Sequence, residues 1–216
     1  MLQRLGARDF ESVFRLMTLS FPEDEYRTRE GQRALFDDPA YRLYGLRGEE
    51  GLDAFAAAWT LTDHLFIEHL AVDPARRNGG VGGRFLDAVI AESEQPAVLE
   101  VELPETDIAR RRIGFYQRHG FFLNDYEYYQ PPMRAGQEKL PLFVMSTGAP
   151  LNRAQFERTR DELYARVYKY GAKGRPAAPE RTAMGCARNT FEKTLRNLRI
   201  CCAFPRGKEP LWPVIS

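Results

Sequence analysis

Cysteine is absent from residues 1–185 of this 216-residue sequence. The three cysteines, Cys186, Cys201 and Cys202, lie near the C-terminus, and neither a Cys-x-x-Cys pair nor a His/Cys spacing typical of zinc ligands occurs. This distribution disfavours a disulfide framework, a structural zinc site and thiol-based catalysis. We therefore expect a function that depends on neither metal nor thiol chemistry.

Long hydrophobic runs are also lacking. No stretch approaches about 18 uninterrupted apolar residues, and the N-terminal sequence MLQRLGARDFESVFRLM has a charged residue every few positions instead of the apolar core of a signal peptide. These absences predict a cytoplasmic protein without a membrane partner. The formal net charge of +1 likewise gives no overall reason to expect binding to nucleic acid.

Composition divides the chain into two parts. Hydrophobic residues make up 44% of the sequence and charged residues 28%, which is typical of a globular protein. From Gly171 onward, however, nine Lys and Arg stand against three Asp and Glu, and the stretch GAKGRPAAPERTAMG is rich in Gly, Pro and Ala. We predict a folded domain over residues 1–170 and a basic, poorly ordered tail over residues 171–216. The alternative is that this tail binds an acidic partner.

The first half of the domain has the pattern of one short strand, two helices and three antiparallel strands. Leu2–Leu5 suits a strand, the helical spacing of apolar residues over Phe10–Met17 predicts a helix that Pro22 ends, and Thr28 suits the cap of a second helix. Two alternating runs joined by a turn at residues 48–51 predict a hairpin, and the run FIEHLAV follows it as a third strand.

The second half alternates helices with strands. Helical spacing over GGRFLDAVIAE and DIARRRIGFYQRHG separates strand patterns in PAVLEVELP, FFLNDYEYYQ and KLPLFVMST, and an amphipathic helix begins at Asn152. The order predicts an α/β (α+β) fold with a mixed central sheet of about six to seven strands. The N-terminal half of this sheet should be antiparallel, with crossovers through helices in the second half.

Glu68 stands out in the apolar strand FIEHLAV. Period-2 alternation puts Glu68 on one face with Phe66, Leu70 and Val72, and puts His69 on the other face, where we expect it to be a packed or surface residue. An ionised carboxylate buried without a partner costs several kcal/mol. Either this face is incompletely buried or the charge of Glu68 has a function.

A glycine-rich basic loop, ARRNGGVGG, follows this strand and leads into a predicted helix. Unpaired N–H groups at a helix N-terminus, together with the close approach that glycine permits, make such a loop an anion site. A Walker A loop is excluded because no lysine occupies the required position, and a Rossmann turn is excluded because Gly80-x-Gly82 is followed by Phe85. What remains is an R-x-x-G-x-G arrangement that begins at Arg77.

The R-x-x-G-x-G loop after FIEHLAVDP resembles the pyrophosphate-binding motif of the GNAT superfamily of acyl-CoA-dependent N-acyltransferases. About 30 residues later, RRIGFYQRHGFF is similar to the second hallmark of that family, a helix with the pattern F-Y-x-x-x-G-F, here Phe115, Tyr116, Gly120 and Phe121. The resemblance covers the order of elements over residues 1–148. It implies a GNAT-like sheet with helices on both faces, here followed by a C-terminal appendage.

The resemblance implies acetyl-CoA, or another acyl-CoA, as the acyl donor. Loop N–H groups would hold its pyrophosphate, and backbone at the end of the preceding strand would pair with its pantetheine arm like an added strand. The residues implied are Leu70, Ala71, Val72, Arg77, Asn78, Gly79, Gly80, Val81, Gly82 and Gly83.

Acyl transfer to an amine needs a base for the ammonium proton, whose pKa is about 10, and an acid for the departing thiolate. Glu68 lies where the resembled family often carries a base, and its apolar neighbours are expected to raise its pKa. Glu100 in VLEVEL is the rival, because this segment resembles the strand of members that acylate protein N-termini. Each carboxylate is alternatively an ammonium-binding or a structural group, and spacing does not choose between the two as base.

Two further residues complete the predicted site. Tyr116 matches the general acid of the resembled family, the alternative being that its ring packs against the cofactor. Glu102 lies on the same strand face as Glu100 and is expected to bind substrate. Three glutamates near one cleft favour a cationic amine over an anionic acceptor, and the tyrosines of NDYEYYQ either line the acceptor pocket or pack in the core.

The sequence therefore predicts an N-acetyltransferase. It would move an acetyl group from acetyl-CoA to a primary amine of a small molecule or peptide by direct transfer in a ternary complex, as a monomer or homodimer. Two alternatives remain open: a sensor that binds acyl-CoA without turnover, and a module that acts chiefly through interactions of its basic tail.

Overall fold

The computed structural model describes residues 1–48, 51–77, 79–134 and 136–170. The basic tail predicted for residues 171–216, two residues of the predicted hairpin turn and Asn78 of the predicted cofactor loop lie outside the described residues. Within the described part of the chain, no helix combines the length and the apolar character needed to cross a membrane.

The described residues form seven strands and five α-helices, which follow one another in the predicted order. The strands are β1 (Leu2–Leu5), β2 (Tyr41–Gly48), β3 (Gly51–Thr60), β4 (Leu65–Val72), β5 (Ala97–Glu102), β6 (Phe121–Gln130) and β7 (Leu140–Thr147). The helices are α1 (Phe10–Ser20), α2 (Arg29–Ala34), α3 (Val81–Ala91), α4 (Asp107–Arg118) and α5 (Arg153–Glu162), and α5 continues as a π-helical turn over Leu163–Val167.

Local signals set several of these boundaries. The Thr28 hydroxyl accepts the Gly31 N–H at the start of α2, and the Asn152 side chain accepts the Gln155 N–H at the start of α5. Each bond satisfies a backbone donor that the first turn of a helix leaves unpaired, which typically stabilises a helix by about 1 kcal/mol. Both predicted caps are confirmed, and α1 ends at Ser20, two residues before Pro22.

All seven strands form one sheet in the order β1-β2-β3-β4-β5-β7-β6. Neighbouring strands run antiparallel except β4 and β5, which are parallel and are connected through α3. The predicted mixed sheet with an antiparallel N-terminal half is confirmed.

Helices cover both faces of the sheet, as predicted. On one face, which we call the α1 face, Leu16 of α1 and Phe156 of α5 pack with Trp59 of β3 in one core. On the other face, the α3 face, Phe85 of α3 and Ile113 of α4 belong to a second core. The side chains of β3 alternate between the two cores, since Phe55, Ala57 and Trp59 belong to the first and Ala54, Ala56 and Ala58 to the second.

A β-bulge at Glu68 corrects the predicted alternation of β4. Ala57 pairs with His69 while the next residue, Ala58, pairs with Ile67, so Glu68 is an extra residue without a partner in β3. Because a bulge shifts the side-chain alternation by one residue, Leu70 and Val72 face α3, whereas Phe66 faces α1. His69 is buried on the α1 face beside Phe21, with ring centroids 4.9 Å apart, and not on the face opposite Glu68.

The parallel pair β4 and β5 separates just before this bulge. Pairing joins Leu65, Phe66 and Ile67 to Ala97, Val98 and Leu99, and no pair follows within the described residues. The backbone of Leu70–Val72 therefore faces an opening in the sheet instead of a neighbouring β5 strand. Glu68 and Glu100 both lie at the start of this opening.

Candidate active site

The glycine-rich loop ends in an uncapped helix N-terminus. Gly79 and Gly80 have φ of 102° and 71°, a region that L side chains rarely adopt, and Gly80 precedes α3 without any side-chain cap. The first intrahelical bond is donated by Arg84 to Gly80 O at 3.2 Å. The N–H groups of Val81, Gly82 and Gly83 consequently have no intrahelical acceptor, which is the arrangement that binds phosphate.

Gly83 has a second reason to be glycine. A Cβ placed there would lie 2.7 Å from Cε1 and Nε2 of His119, so the imidazole occupies the space of the missing side chain. The Nδ1 atom of this imidazole lies 2.6 Å from Asp87 Oδ1. His119, directly after α4, therefore connects α4 to the first turns of α3 and fixes the two helices next to the anion site.

Arg77 and the end of β4 form the other wall of the loop. The Arg77 Nε–H donates to Val72 O at 3.2 Å, which anchors this half-buried side chain to the strand. Beyond Ile67 the β5-facing edge of β4 is open, as described above. An uncapped helix N-terminus beside an open strand edge fits a diphosphate attached to an extended chain that carries amide groups, which are the chemical features of coenzyme A.

Glu68 is part of a buried ion pair. Its side chain is 0% exposed, Arg27 Nη1 donates to Oε1 at 2.6 Å, and Trp59 Nε1 donates to Oε2 at 2.9 Å. Burial alone would raise the pKa of Glu68, but the charge of Arg27 and the hydrogen bonds from Trp59 and Arg27 outweigh it, so the pKa is lowered. The prediction of a raised pKa was wrong because these partners are distant in sequence.

His69 is packed beside this pair. Its Nε2 lies 3.0 Å from Glu25 O and its Nδ1 lies 3.9 Å from Glu68 Oε2. Burial lowers the pKa of His69, so the imidazole is neutral at pH 7. The expectation of a packed histidine is confirmed.

Glu100 has a different environment from Glu68. Tyr128 donates a short hydrogen bond to Oε1, while Tyr168 Oη donates to Oε2 at 2.6 Å and Gln130 Nε2 donates to the same oxygen at 3.1 Å. Burial raises the pKa of Glu100 to about 7, the negative charge of Glu68 adds to the rise, and the three donors oppose it. Unlike Glu68, Glu100 has no cationic partner among these bonds and titrates near neutral pH.

Glu102 and Tyr116 are connected through α4. Arg112 Nη1 lies 2.5 Å from Glu102 Oε1, which attaches α4 to the end of β5. One turn further along α4, the Tyr116 ring packs edge-on against Phe121, with centroids 5.5 Å apart. Burial raises the pKa of Tyr116. The phenol therefore keeps its proton at neutral pH.

Four residues of the site were not among the predicted site residues. Arg27 precedes α2, Tyr128 and Gln130 lie on β6, and Tyr168 follows the π-helical turn after α5. Tyr128 belongs to the NDYEYYQ segment, whose tyrosines were expected to be either pocket or packing residues, and it is both buried and bonded to Glu100. Arg27, Gln130 and Tyr168 carried no local signal in the sequence, because side chains of these types are usually solvated in such positions.

A cleft of about 330 Å³ opens on the α1 face beside these carboxylates. Arg27 and Thr28 line it from the start of α2, Met133 and Arg134 line it from the connection after β6, and Tyr168 forms part of the lining. Tyr168 therefore contacts both the cleft and Glu100. Across the described residues, no group of three or more His, Cys, Asp and Glu side chains is placed to hold a metal ion.

Comparisons with known proteins agree with this architecture. The family described as "Acetyltransferase (GNAT) family" matches residues 10–121, whereas no curated protein gives a significant match. A solved GNAT-family protein of Bacteroides thetaiotaomicron is 34% identical over 82% of this chain and 99% of its own, with a TM-score of 0.73.

Two more distant structures share the fold. The ribosomal-protein-S18-alanine N-acetyltransferase of Escherichia coli is 18% identical over 70% of this chain and 95% of its own, with a TM-score of 0.53. NAA60 of Arabidopsis thaliana, solved with acetyl-CoA, is 15% identical over 68% of this chain and 96% of its own, with a TM-score of 0.52. Because the family match spans more than half of the sequence and a 34% identical structure covers most of it, this chain belongs to the GNAT acetyltransferase family.

Proposed function

We propose that this protein is an N-acetyltransferase that transfers the acetyl group of acetyl-CoA directly to a primary amine in a ternary complex. The observation that carries the proposal is the position of Glu100, a buried carboxyl with a pKa of about 7, at the opening between β4 and β5. This opening lies between a diphosphate-type anion site and a cleft large enough for a small acceptor.

The residues for the cofactor are the predicted ones. The N–H groups of Val81, Gly82 and Gly83 would bind the pyrophosphate, with Gly79 and Gly80 allowing its close approach and Arg77 placed by Val72 O. Leu70, Ala71 and Val72 would pair with the pantetheine arm at the open strand edge. Asn78, which lies outside the described residues, stays a prediction.

Glu100 is the proposed general base. A base with a pKa near the working pH combines a large ionised fraction with useful proton affinity, and this is the position of Glu100. Glu100 itself is not among the residues that line the cleft, whereas Tyr168 is. We therefore assign Tyr168 as the relay: its oxygen takes the amine proton while its own proton moves 2.6 Å to Glu100 Oε2.

Glu68 has a positioning role in this scheme. Its lowered pKa and its bonds from Arg27 and Trp59 make it a poor proton acceptor. It instead fixes Arg27 at the wall of the cleft, and its negative charge raises the pKa of Glu100. Glu102 is likewise outside the transfer chemistry, because its bond to Arg112 secures the helix that carries Tyr116.

Tyr116 is the proposed general acid. As the N–C bond forms and the thioester C–S bond breaks, its phenol would give a proton to the departing sulfur, while the proton lost from nitrogen ends on Glu100. Acetyl-CoA supplies the activated acetyl group. Proton exchange with solvent then restores Tyr116 and Glu100 for the next turnover.

A coenzyme A release assay tests the proposal. Wild type is screened with acetyl-CoA over polyamines, amino acids, aminoglycosides and N-terminal peptides, and its melting temperature is measured with and without acetyl-CoA. We expect release with at least one amine class and a drop of about 100-fold or more in Glu100→Gln, with no change in the control Glu157→Gln on α5, whose side chain is 46% exposed. A thermal shift without release from any amine would instead indicate an acyl-CoA sensor.

A further inference from the structure

The cleft beside Glu100 has a cationic lining. Two arginines, Arg27 and Arg134, line it, and no carboxylate is among the described residues that line it. None of the three glutamates that favoured a cationic acceptor in the sequence lines this cleft. Glu68 is bonded by Arg27, Glu100 by two tyrosines, and Glu102 by Arg112 through Oε1. The charge presented to an acceptor is therefore opposite to the one expected from the sequence.

Arg27 is held rigidly at one wall. Nη1 donates to Glu68 Oε1 at 2.6 Å and Nη2 donates to Val167 O at 2.8 Å, and the guanidinium lies over the Trp59 ring. These two bonds use two of the five N–H groups of an arginine. The side chain is only 14% exposed, so a ligand meets further donors that are already oriented and partly desolvated.

Arg134 is the second cation of the lining, and its Nη2 lies 3.5 Å from Arg27 O. Its Nε donates to Tyr26 O at 2.9 Å, and its Cζ lies 5.2 Å from the centroid of the Tyr26 ring. Its ion-pair partner Glu23 is 80% exposed, whereas Arg134 itself is 23% exposed. An exposed carboxylate is screened by water and neutralises its partner only weakly, so Arg134 retains attraction for a second anion.

We propose that the acceptor amine carries a carboxylate close to its amino group, and that Arg134 and Arg27 bind this carboxylate while Tyr168 meets the nitrogen. The inference rests on the proposed N-acetyltransferase function and names its substrate class. Arginine suits this task because its planar fork binds carboxylates with two parallel hydrogen bonds. A polyamine or aminoglycoside would place a second cation against two guanidinium groups.

The test compares acceptors that differ only in the anionic group. Free amino acids are assayed against their C-terminal amides, and dipeptides with acidic second residues, such as Gly-Asp amide, against their neutral counterparts, such as Gly-Asn amide. The first comparison identifies an α-carboxylate and the second an acidic peptide N-terminus as the source. In at least one of the two comparisons, we expect kcat/KM to be about 10- to 100-fold higher for the acid than for its neutral counterpart. This is the effect of a charge-assisted hydrogen bond.

Variants locate the effect in the cleft. Arg134→Gln should lower kcat/KM for the acid by about 10-fold or more, mainly by raising KM, and leave the amide nearly unchanged. Glu23→Gln removes the ion pair but keeps the cation, so it should retain the preference for the acid, and Arg153→Gln on exposed α5 serves as the surface control.

Two results would overturn the inference. Amides or polyamines turned over as well as or better than the acids would show that the acceptor is not anionic, with the transferase function intact. If none of the acceptor classes gives coenzyme A release, both the inference and the proposed function are ruled out. Melting curves of each variant separate loss of folding from loss of binding.

Discussion

Tyr168 Oη lies 2.6 Å from Glu100 Oε2, although the two residues are 68 positions apart in the chain. This bond joins the segment after α5 to the fifth strand at the centre of the sheet. The matched family region ends at residue 121, so all three donors to this carboxylate, Tyr128, Gln130 and Tyr168, come from outside it. The C-terminal segment is consequently part of the candidate site and not only a cover for the core.

Replacement of Tyr168 by phenylalanine tests this relationship. The variant Tyr168→Phe keeps the ring but removes the proton relay and one hydrogen bond that lowers the pKa of Glu100. We expect kcat to fall by about 100-fold with a smaller change in KM, and the ascending pH profile to move to higher pH. The matched control is Tyr164→Phe, whose hydroxyl donates to Tyr129 O instead; an equal loss in both variants would contradict a specific role of Tyr168.

The pH dependence of the wild type follows from Glu100. Since a general base must be ionised, kcat/KM should rise with pH and level off above an apparent pKa near 7. The groups that face this carboxyl are Tyr128, Tyr168, Gln130 and the charge of Glu68, so Glu68→Gln should move the midpoint to lower pH. Initial rates between pH 5.5 and 9 measure both midpoints, and a wild-type kcat/KM that does not change over this range would rule out Glu100 as a desolvated base.

The Arg27–Glu68 pair is expected to dominate local stability. Arg27→Met leaves a buried carboxylate without its cation and should lower the free energy of unfolding by about 3–5 kcal/mol. The double variant Arg27→Met/Glu68→Leu removes both charges and should recover part of this loss, giving a coupling energy in a double-mutant cycle of denaturant unfolding. Additive losses would mean that the pair does not act as a unit.

Acid should weaken the same pair. The pKa of Glu68 is lower in the folded than in the unfolded protein. The contribution of Glu68 to stability is therefore fully present above about pH 4.5 and is lost as the pH falls through the folded pKa. Wild type should therefore lose more stability than the double variant between pH 5 and 3. Thermal unfolding over this range measures the difference, and parallel curves would contradict it.

Two glycine-to-alanine substitutions should change the stability of the protein in opposite directions. In Gly83→Ala the new Cβ would lie 2.7 Å from the His119 ring, so the imidazole must move away from Asp87, at a cost of about 1–3 kcal/mol. We also expect weaker acetyl-CoA binding, because the first turn of α3 shifts. Gly114→Ala in α4 meets only Arg118 Nη1 at 3.6 Å and should stabilise the protein by about 0.5–1 kcal/mol. Melting temperatures and acetyl-CoA titrations distinguish the two.

Much of the fold was predictable because its signals are local. Hydrophobic periods identified the order of strands and helices, Thr28 and Asn152 identified two helix starts, and the glycines after β4 identified the loop that leads into α3. Each of these features depends on residues within a few positions of one another. The bulge at Glu68 was not predictable, because it appears only when β4 is aligned with β3.

The chemistry of the carboxylates required the tertiary structure. From the sequence, Glu68 and Glu100 were equivalent rivals for the role of base, and both predicted contexts were apolar strands. In the folded chain Arg27, 41 positions away, lowers the pKa of Glu68, while Glu100 is surrounded by tyrosines and its pKa rises to about 7.

Sequence alone thus determined the family resemblance, the order of elements and the positions of Glu68, Glu100 and Tyr116 along their strands and helix. The tertiary structure decided which carboxylate is paired with a cation, which one stays near neutrality, and that the adjoining cleft is lined by arginines. The physical reason is that a pKa depends on burial and on charges within a few ångströms, and such neighbours are brought together by folding from distant parts of the chain.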